Sequence, residues 1–560
     1  MKPGITIALL LASMLQTWGC AATREGRTPF EARQERTQPA SIVMDHFVQA
    51  KVFEFQGNYH KAIVELGELL AYDLASAPVY QALARDYLIV GKRETALRFA
   101  EKAVQADPRS VRARRFLAVL YVQTGDLEGA IRQREQIVRL VEHDPEEVFR
   151  LVRLYLRNQE AEKAIALLKK LGRNRPSPDI QMRLASVYRI TGQVEKAEVL
   201  YRRLLQKNPE IEEIALALGG LLEERGRKEE ALSVYEAALE QRPTSEQVRR
   251  RLGELYMVAE QWDKAILHFE QLSPDLAVAQ SLAMAYYQQE EYEKSRRIAQ
   301  DALTRYGDDL ALYYYLGRSL TEMERFPEAL RAFQTMIRLD ENNADGWVNA
   351  GYIYLSMKRY AAAQALLEQG VEFLPDNSRM WFFLGVTLAD QEDFHEAVAA
   401  LKKAVELEPN NVTYLFELGS AQEQAGLFDE GISTFERLLS VDPEHALALN
   451  YLGYLFADKG VRLDESLSML EKAVAKQPRN GAFLDSLGWV YYRLGDLKKA
   501  EHYIKQAAQL EQENAVIIEH LGDVAEALGK KEEAKKQWKR SLELDPGNRQ
   551  VQKKLELIGE

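Results

Sequence analysis

Residues 378–411 read SRMWFFLGVTLADQEDFHEAVAALKKAVELEPNN. Trp381, Leu384, Gly385 and Leu388 fall at i, i+3, i+4 and i+7, one apolar stripe along a helix. Gln391-Glu392-Asp393 is a polar break. Ala397, Leu401, Ala404 and Val405 then form the stripe of a second helix. Gly385 and Ala397 are small, which lets the two helices approach closely. Pro409 cannot continue a helix and closes the unit. Neither helix can bury its stripe alone, so such a unit needs a neighbour to stack on.

The neighbours are present. Gly317, Gly351, Gly385, Gly419 and Gly453 recur every 34 residues, with Ala329, Ala363, Ala397 and Gly431 in step beside them. Ala50, Ala84, Ala118, Val152, Ala185, Gly219, Gly253 and Ala283 extend the first ladder upstream, and Gly488 and Gly522 extend it downstream. This predicts fifteen helix pairs over 43–548, followed by a short amphipathic cap at 549–560. The phase is disturbed around Ser273-Pro274, where two units are compressed, and near Val461, where one residue is added. The composition, 46% hydrophobic and 28% charged with 17 Pro, fits a folded helical chain.

A period of 34 residues with these small-residue positions resembles the tetratricopeptide repeat (TPR) superfamily. The resemblance implies an all-α fold, a TPR α-solenoid wound as a right-handed superhelix of helix-turn-helix repeats. It also implies a scaffold that binds other proteins, as peptide segments in a concave groove, and not an enzyme. P-loop, Rossmann, HExxH and Gly-x-Ser-x-Gly motifs are missing from the sequence, and the 8 His are scattered. No cofactor is expected, and a single cysteine cannot build a thiolate metal cluster.

The N-terminus is a different object. Met1-Lys2 precedes an apolar run from Ile5 to Leu15, of signal-peptide length and short for a membrane span. Gln16-Thr17-Trp18-Gly19-Cys20-Ala21 follows, and holds the only cysteine. This resembles a bacterial lipoprotein signal, although Thr17 and Trp18 depart from the usual box. The resemblance implies that 1–19 is removed, that Cys20 is lipidated and that 20–42 is a tether. Ala21 in place of Asp implies an outer-membrane anchor with the chain facing the periplasm. An ordinary secretory signal or a short membrane anchor is the alternative.

Charge divides the chain. Overall 73 basic residues stand against 85 acidic, but 111–210 holds 20 Lys and Arg against 13 Asp and Glu, whereas 211–470 holds 24 against 45. An acidic majority argues against nucleic acid. Carrying over the family's inward-facing phase places Arg85, Arg115, Arg153, Arg189 and Arg250 on the inner surface of the first half. The same phase places Tyr314, Tyr352, Phe382, Phe416, Tyr454, Trp489 and Tyr492 on that of the second. Arginine and aromatic side chains anchor protein interfaces. Asp485, one turn before Trp489, is either a cap on the local packing or the acidic partner of a bound peptide. The block from Asn450 through Asp523 resembles the C-terminal repeats of Gram-negative envelope TPR proteins, which implies an envelope compartment and a scaffold role; the leading reading is a scaffold serving envelope assembly, secretion or polysaccharide export. The aromatic stripe leaves open a second reading, a glycan-binding accessory of polysaccharide export.

Overall fold

The computed structural model describes residues 31–559 except 72–75 and 143, with side chains from 42 to 557. The signal segment and Cys20 lie outside the described residues. Among the described residues there are thirty-one helices and no strand. Thirty of them form successive pairs, and Arg549–Gly559 follows as the last. The opening helix, Glu31–Phe55, starts inside the stretch expected to be tether and runs through Pro39. The tether reading of 31–42 is therefore corrected to helix. The chain divides into two compact units, Met1–Val248 and Arg249–Glu560.

Each glycine of the first ladder lies under the side chain sixteen positions later, or seventeen for Gly453, where a residue is added. A Cβ placed on Gly317 would come within 2.6 Å of Phe333 Cζ, and one on Gly385 within 2.5 Å of Leu401 Cγ. A Cβ on Gly253 would meet Phe269 at 2.8 Å, and one on Gly419 would meet Phe435 at 2.9 Å. The second ladder is closed as tightly: Ala62, Ala96, Ala130, Ala329 and Ala397 are fully buried. Where that ladder carries serine, the hydroxyl is satisfied by the carbonyl it faces. Ser295 Oγ donates to Ala283 O at 2.7 Å, and Ser466 Oγ to Gly453 O at 2.6 Å. The prolines end second helices, and asparagines that follow them start first helices. Asn377, Asn411 and Asn480 each accept from a backbone N–H of the first turn, as helix caps do.

The disturbed phases are visible. The second helix Trp262–Phe269 is cut to eight residues before Ser273-Pro274. Near Val461 the added residue is absorbed by two left-handed positions, Gly460 (φ 69°) and Arg462 (φ 48°).

Every turn within a pair passes through a residue of positive φ, and the turn near Val461 passes through two. It is glycine at Gly57, Gly91, Gly125, Gly192, Gly226, Gly426, Gly460, Gly495 and Gly529. It is Gln159 in the fourth turn, and in the five successive turns from 260 to 392 it is Glu260, Glu290, Glu324, Lys358 and Glu392. A side chain in the left-handed region clashes with its own backbone, and glycine does not, at some cost in chain entropy. Each of these five residues replaced by glycine is therefore expected to stabilise its repeat by about 0.5–1 kcal/mol. Urea unfolding of the fivefold variant reads this directly. A midpoint at or below that of the parent would contradict it.

Candidate functional site

A groove of about 690 Å³ opens in the N-terminal unit, lined chiefly by first helices of successive pairs. Phe47 and Lys51 come from Glu31–Phe55, Gln81 and Arg85 from Ala77–Ile89, Arg112 and Arg115 from Val111–Thr124, and Arg150 from Pro145–Arg157. Phe47, Gln81 and Arg115 occupy the same position in successive repeats, as do Lys51, Arg85 and Val119. The lining is thus one face repeated along the stack.

Two carboxylates organise its cations. Glu54 accepts from Lys51 Nζ at 2.6 Å and from Arg85 Nη2 at 2.5 Å. Glu147, buried to 3% exposure, accepts from Arg115 Nε at 2.8 Å and from Arg134 Nη1 at 2.6 Å. Arg134 belongs to a second helix, Leu127–Leu140, and is itself buried. Its pKa is lowered, first by burial and then by the charges of Arg150 and Arg115, against the opposing pull of Glu147.

Beside the groove, Asp86 is fully buried and neither carboxylate oxygen accepts a hydrogen bond, although Arg85 Nε lies 3.5 Å away. Other repeats carry Leu120, Leu221 or Val490 at this position. Burial, with the charge of Glu54 adding to it, pushes the Asp86 carboxyl up to about 6 against Arg85 and Lys51. A folded pKa above the ordinary value means that ionisation costs stability. The cost is absent below pH 4, grows between pH 4 and 6, and is full above pH 6. Asp86→Leu is therefore expected to stabilise the second repeat by on the order of 2 kcal/mol at pH 7, with the gain shrinking towards pH 4. Hydrogen exchange of residues 77–106 at the two pH values checks both parts.

Of the expected inner arginines, Arg85 and Arg115 line this groove and Arg153 and Arg189 do not. Arg153 is exposed, and Arg189 pairs with Glu224 at 3.3 Å. Arg250, in the second unit, is held by Asp275 at 2.6 Å. Lys51, Arg112, Arg134 and Arg150 were not anticipated. Arg134 carries a readable signal: it stands sixteen residues after Ala118, where other repeats have Tyr201, Tyr235, Phe333 or Phe435. A charged residue at a core position demands a partner.

In the second unit the aromatic residues are largely occupied. Phe382 stacks on Tyr414 at 4.7 Å, and Phe416 meets Phe435 at 5.8 Å and Tyr451 at 6.0 Å. Tyr314 packs edge-on to Tyr315, and its hydroxyl lies 3.5 Å from Arg318 Nη1. Tyr454 is half-buried, and burial, with Asp458 and Asp485 adding, pushes its hydroxyl up to about 12. Tyr352 is exposed. Trp489 is half-buried, stacked on His520 at 4.1 Å and on Tyr492 at 4.9 Å. Its indole N–H is buried with no acceptor among the described residues. Among the aromatics expected on the inner wall, Trp489 and Tyr492 are the pair in ring contact. Asp485 requires correction: it is 6% exposed and its carboxylate is bonded to His520 Nδ1 at 2.9 Å, so it is a packing residue and not a free acceptor for a ligand. Among the described residues no three His, Cys, Asp or Glu side chains converge as a metal site, and no helix is long and apolar enough to cross a membrane.

Known proteins point the same way. Tetratricopeptide repeat family models match residues 87–147, 224–279 and 320–383, and also 149–210, 191–246, 281–344, 416–461 and 461–515, while related repeat models match 385–426 and 517–548. The TPR repeat-containing protein PA4667 of Pseudomonas aeruginosa is 47% identical over 64 residues, a match that spans only 11% of this chain and 11% of that protein. Among solved structures, the APC/C hetero-tetramer Cut9-Hcn1 is similar over 88% of this chain and 98% of its own, at 16% identity and a TM-score of 0.38. YrrB, described as a TPR protein with an unusual peptide-binding site, is similar over 33% of this chain and 95% of its own, at 27% identity and a TM-score of 0.29. The repeat matches run almost without a break from 87 to 548, over the same helix pairs seen in the structure, and the chain belongs to the tetratricopeptide repeat proteins.

Proposed function

We propose that this chain is a lipid-anchored scaffold that holds segments of other proteins on the inner face of its repeats. It would sit on the outer membrane, face the periplasm and serve envelope assembly, secretion or polysaccharide export. The observation that carries the binding reading is the groove itself, formed by equivalent positions of consecutive first helices. The anchor rests on the apolar run ending at the lone Cys20. A direct glycan contact is the weaker reading, because most of the rings it would use are engaged in packing.

Photo-crosslinking residues placed at Val119 in the groove and at Tyr352 in the second unit test the binding reading in cells. Protein adducts are expected from at least one of them and none from Val199, an exposed position of a second helix. Adducts from neither inner position would remove the reading. Mass spectrometry of the mature N-terminus tests the anchor: an acylated Cys20 is expected, and a retained Met1 or a free thiol would exclude it. Cys20→Ala should release the protein from membranes, since acyl chains would supply the affinity.

A further inference from the structure

The N-terminal groove has more cation than its own carboxylates can satisfy. Six cations line it: Lys51, Arg85, Arg112, Arg115, Arg134 and Arg150. Glu54 holds two of them and Glu147 holds two more. Asp86 lies beside Arg85, and that makes three carboxylates against six cations. Arg112 and Arg150 are exposed and meet no carboxylate among the described residues. Arg150 also raises the local potential at Arg134, which is buried and has only Glu147 to answer it. Three guanidinium groups therefore gather around one carboxylate, with two of them already fixed in position by it. Between these charges stand the apolar surfaces of Phe47, Phe116 and Val119, the last 42% exposed.

We propose that this groove takes an extended acidic peptide segment, whose carboxylates complete the guanidinium cluster around Glu147 and whose aliphatic or aromatic side chain seats against Phe47, Phe116 and Val119. The inference rests on the scaffold reading above and names its partner. A guanidinium presents a planar fork that matches a carboxylate with two parallel hydrogen bonds. Because Glu54 and Glu147 already hold four of the cations in place, little side-chain freedom is lost when a ligand arrives. The same carboxylates, and the amide of Gln81, can accept from or donate to a peptide backbone. Nucleic acid and acidic glycans would also supply anions, but neither offers an aliphatic side chain to the apolar wall of Phe47, Phe116 and Val119.

The test is a titration of the full mature chain with fluorescein-labelled peptides of about ten residues, built from Asp and Glu around one Leu or Phe. Matched peptides carry Lys in place of the acids, or Ser in place of the apolar residue. Micromolar binding of the acidic apolar peptides is expected at low salt, weakening steeply as ionic strength rises. The double reversal Arg112→Glu/Arg150→Glu should weaken it at least ~10-fold, the step of one decade in dissociation constant. Val119→Asp should weaken it as well. Arg173→Glu/Arg175→Glu, exposed in the same unit, should leave it unchanged, and circular dichroism should be alike for all. Failure of every acidic peptide to bind, or binding indifferent to the groove reversals, overturns the proposal. So does displacement of the peptide by a single-stranded oligonucleotide or by polygalacturonate at equal charge, which would make the groove a general polyanion site. Self-association that is lost in the reversals, without peptide binding, would make the occupant a second copy of this chain and also overturn it. Crosslinks found at Tyr352 and not at Val119 would end this proposal while leaving the scaffold reading in place. Crosslinks at neither position would end both.

Discussion

Gly219→Leu is expected to destabilise the N-terminal unit by about 3 kcal/mol, while Gly220→Ala, one residue later, is expected to stabilise it by about 0.5–1 kcal/mol. The two glycines share a helix, Glu212–Glu224, and differ only in what lies above them. A Cβ on Gly219 would overlap the ring of Tyr235, which is fully buried and donates its hydroxyl to Glu223 at 2.6 Å. The ring cannot retreat without breaking that bond and opening the pair, so a branched side chain must push the two helices apart. Nothing lies within 4 Å of a Cβ on Gly220, and there alanine simply removes the entropic penalty of glycine inside a helix. Urea unfolding of both variants, read with hydrogen exchange of 212–241, separates the effects. Equal midpoints for the two would mean that the ladder glycines are not contact residues at all.

This contrast also shows how the sequence encodes its packing. Gly219, Gly253, Gly317, Gly419 and Gly522 stand sixteen residues before Tyr235, Phe269, Phe333, Phe435 and Trp538. Ala84 and Ala283 stand before Ala100 and Ala299. The smaller ladder residue thus tends to face the larger partner, although Ala185 before Tyr201 shows that the rule bends. The period, the helix pairs and the two phase defects were all legible because each repeat solves the same steric problem. The start of the first helix was not, since Arg24 to Pro39 is polar and carries no stripe to mark it. The inner surface was legible in part. Inward phase found Arg85 and Arg115, whose backbones sit on first helices. It missed Arg134, because a second-helix residue reaches the groove only by extending from a core position to Glu147. It also counted aromatics as free that are half-spent on neighbours, because ring contacts between repeats depend on rotamers that no spacing reveals.

Asp485 gives the clearest case of a residue whose role changes once its neighbour is seen, and it carries the second large effect. Its carboxylate is bonded to His520 Nδ1 at 2.9 Å, and both side chains are 8% exposed. Burial alone would lower the pKa of His520, but the charge and hydrogen bond of Asp485, with Asp523 and Glu519 beyond, outweigh it and raise the value above the ordinary 6.5. Lys554 faces the same cluster from the last helix and is bonded to Asp523 at 2.6 Å and Glu519 at 2.8 Å, so the two carboxylates beyond the pair are themselves partly answered. A histidine whose pKa rises on folding contributes stability that is fully present below 6.5 and is lost as pH climbs through the folded value. Asp485→Ala leaves a buried ring that below pH 6.5 must either carry a charge without its partner or give up its proton, and removal of one partner from a buried pair costs about 3–5 kcal/mol. The loss should be largest below pH 6.5 and should shrink as pH climbs through the raised folded value and His520 loses its proton. His520→Gln should flatten the pH dependence of the terminal repeats with a smaller loss than Asp485→Ala, because the glutamine amide can still donate to the Asp485 carboxylate. Hydrogen exchange in Gly481–Leu494 and Ala515–Ala527 reads these repeats locally, which matters in a stack where ends unfold before the middle. A free energy of protection that does not fall as pH rises above 6.5 in the parent chain would contradict the stabilising ion pair, and would leave the Trp489–His520 stack and the apolar core as what holds the last repeats together.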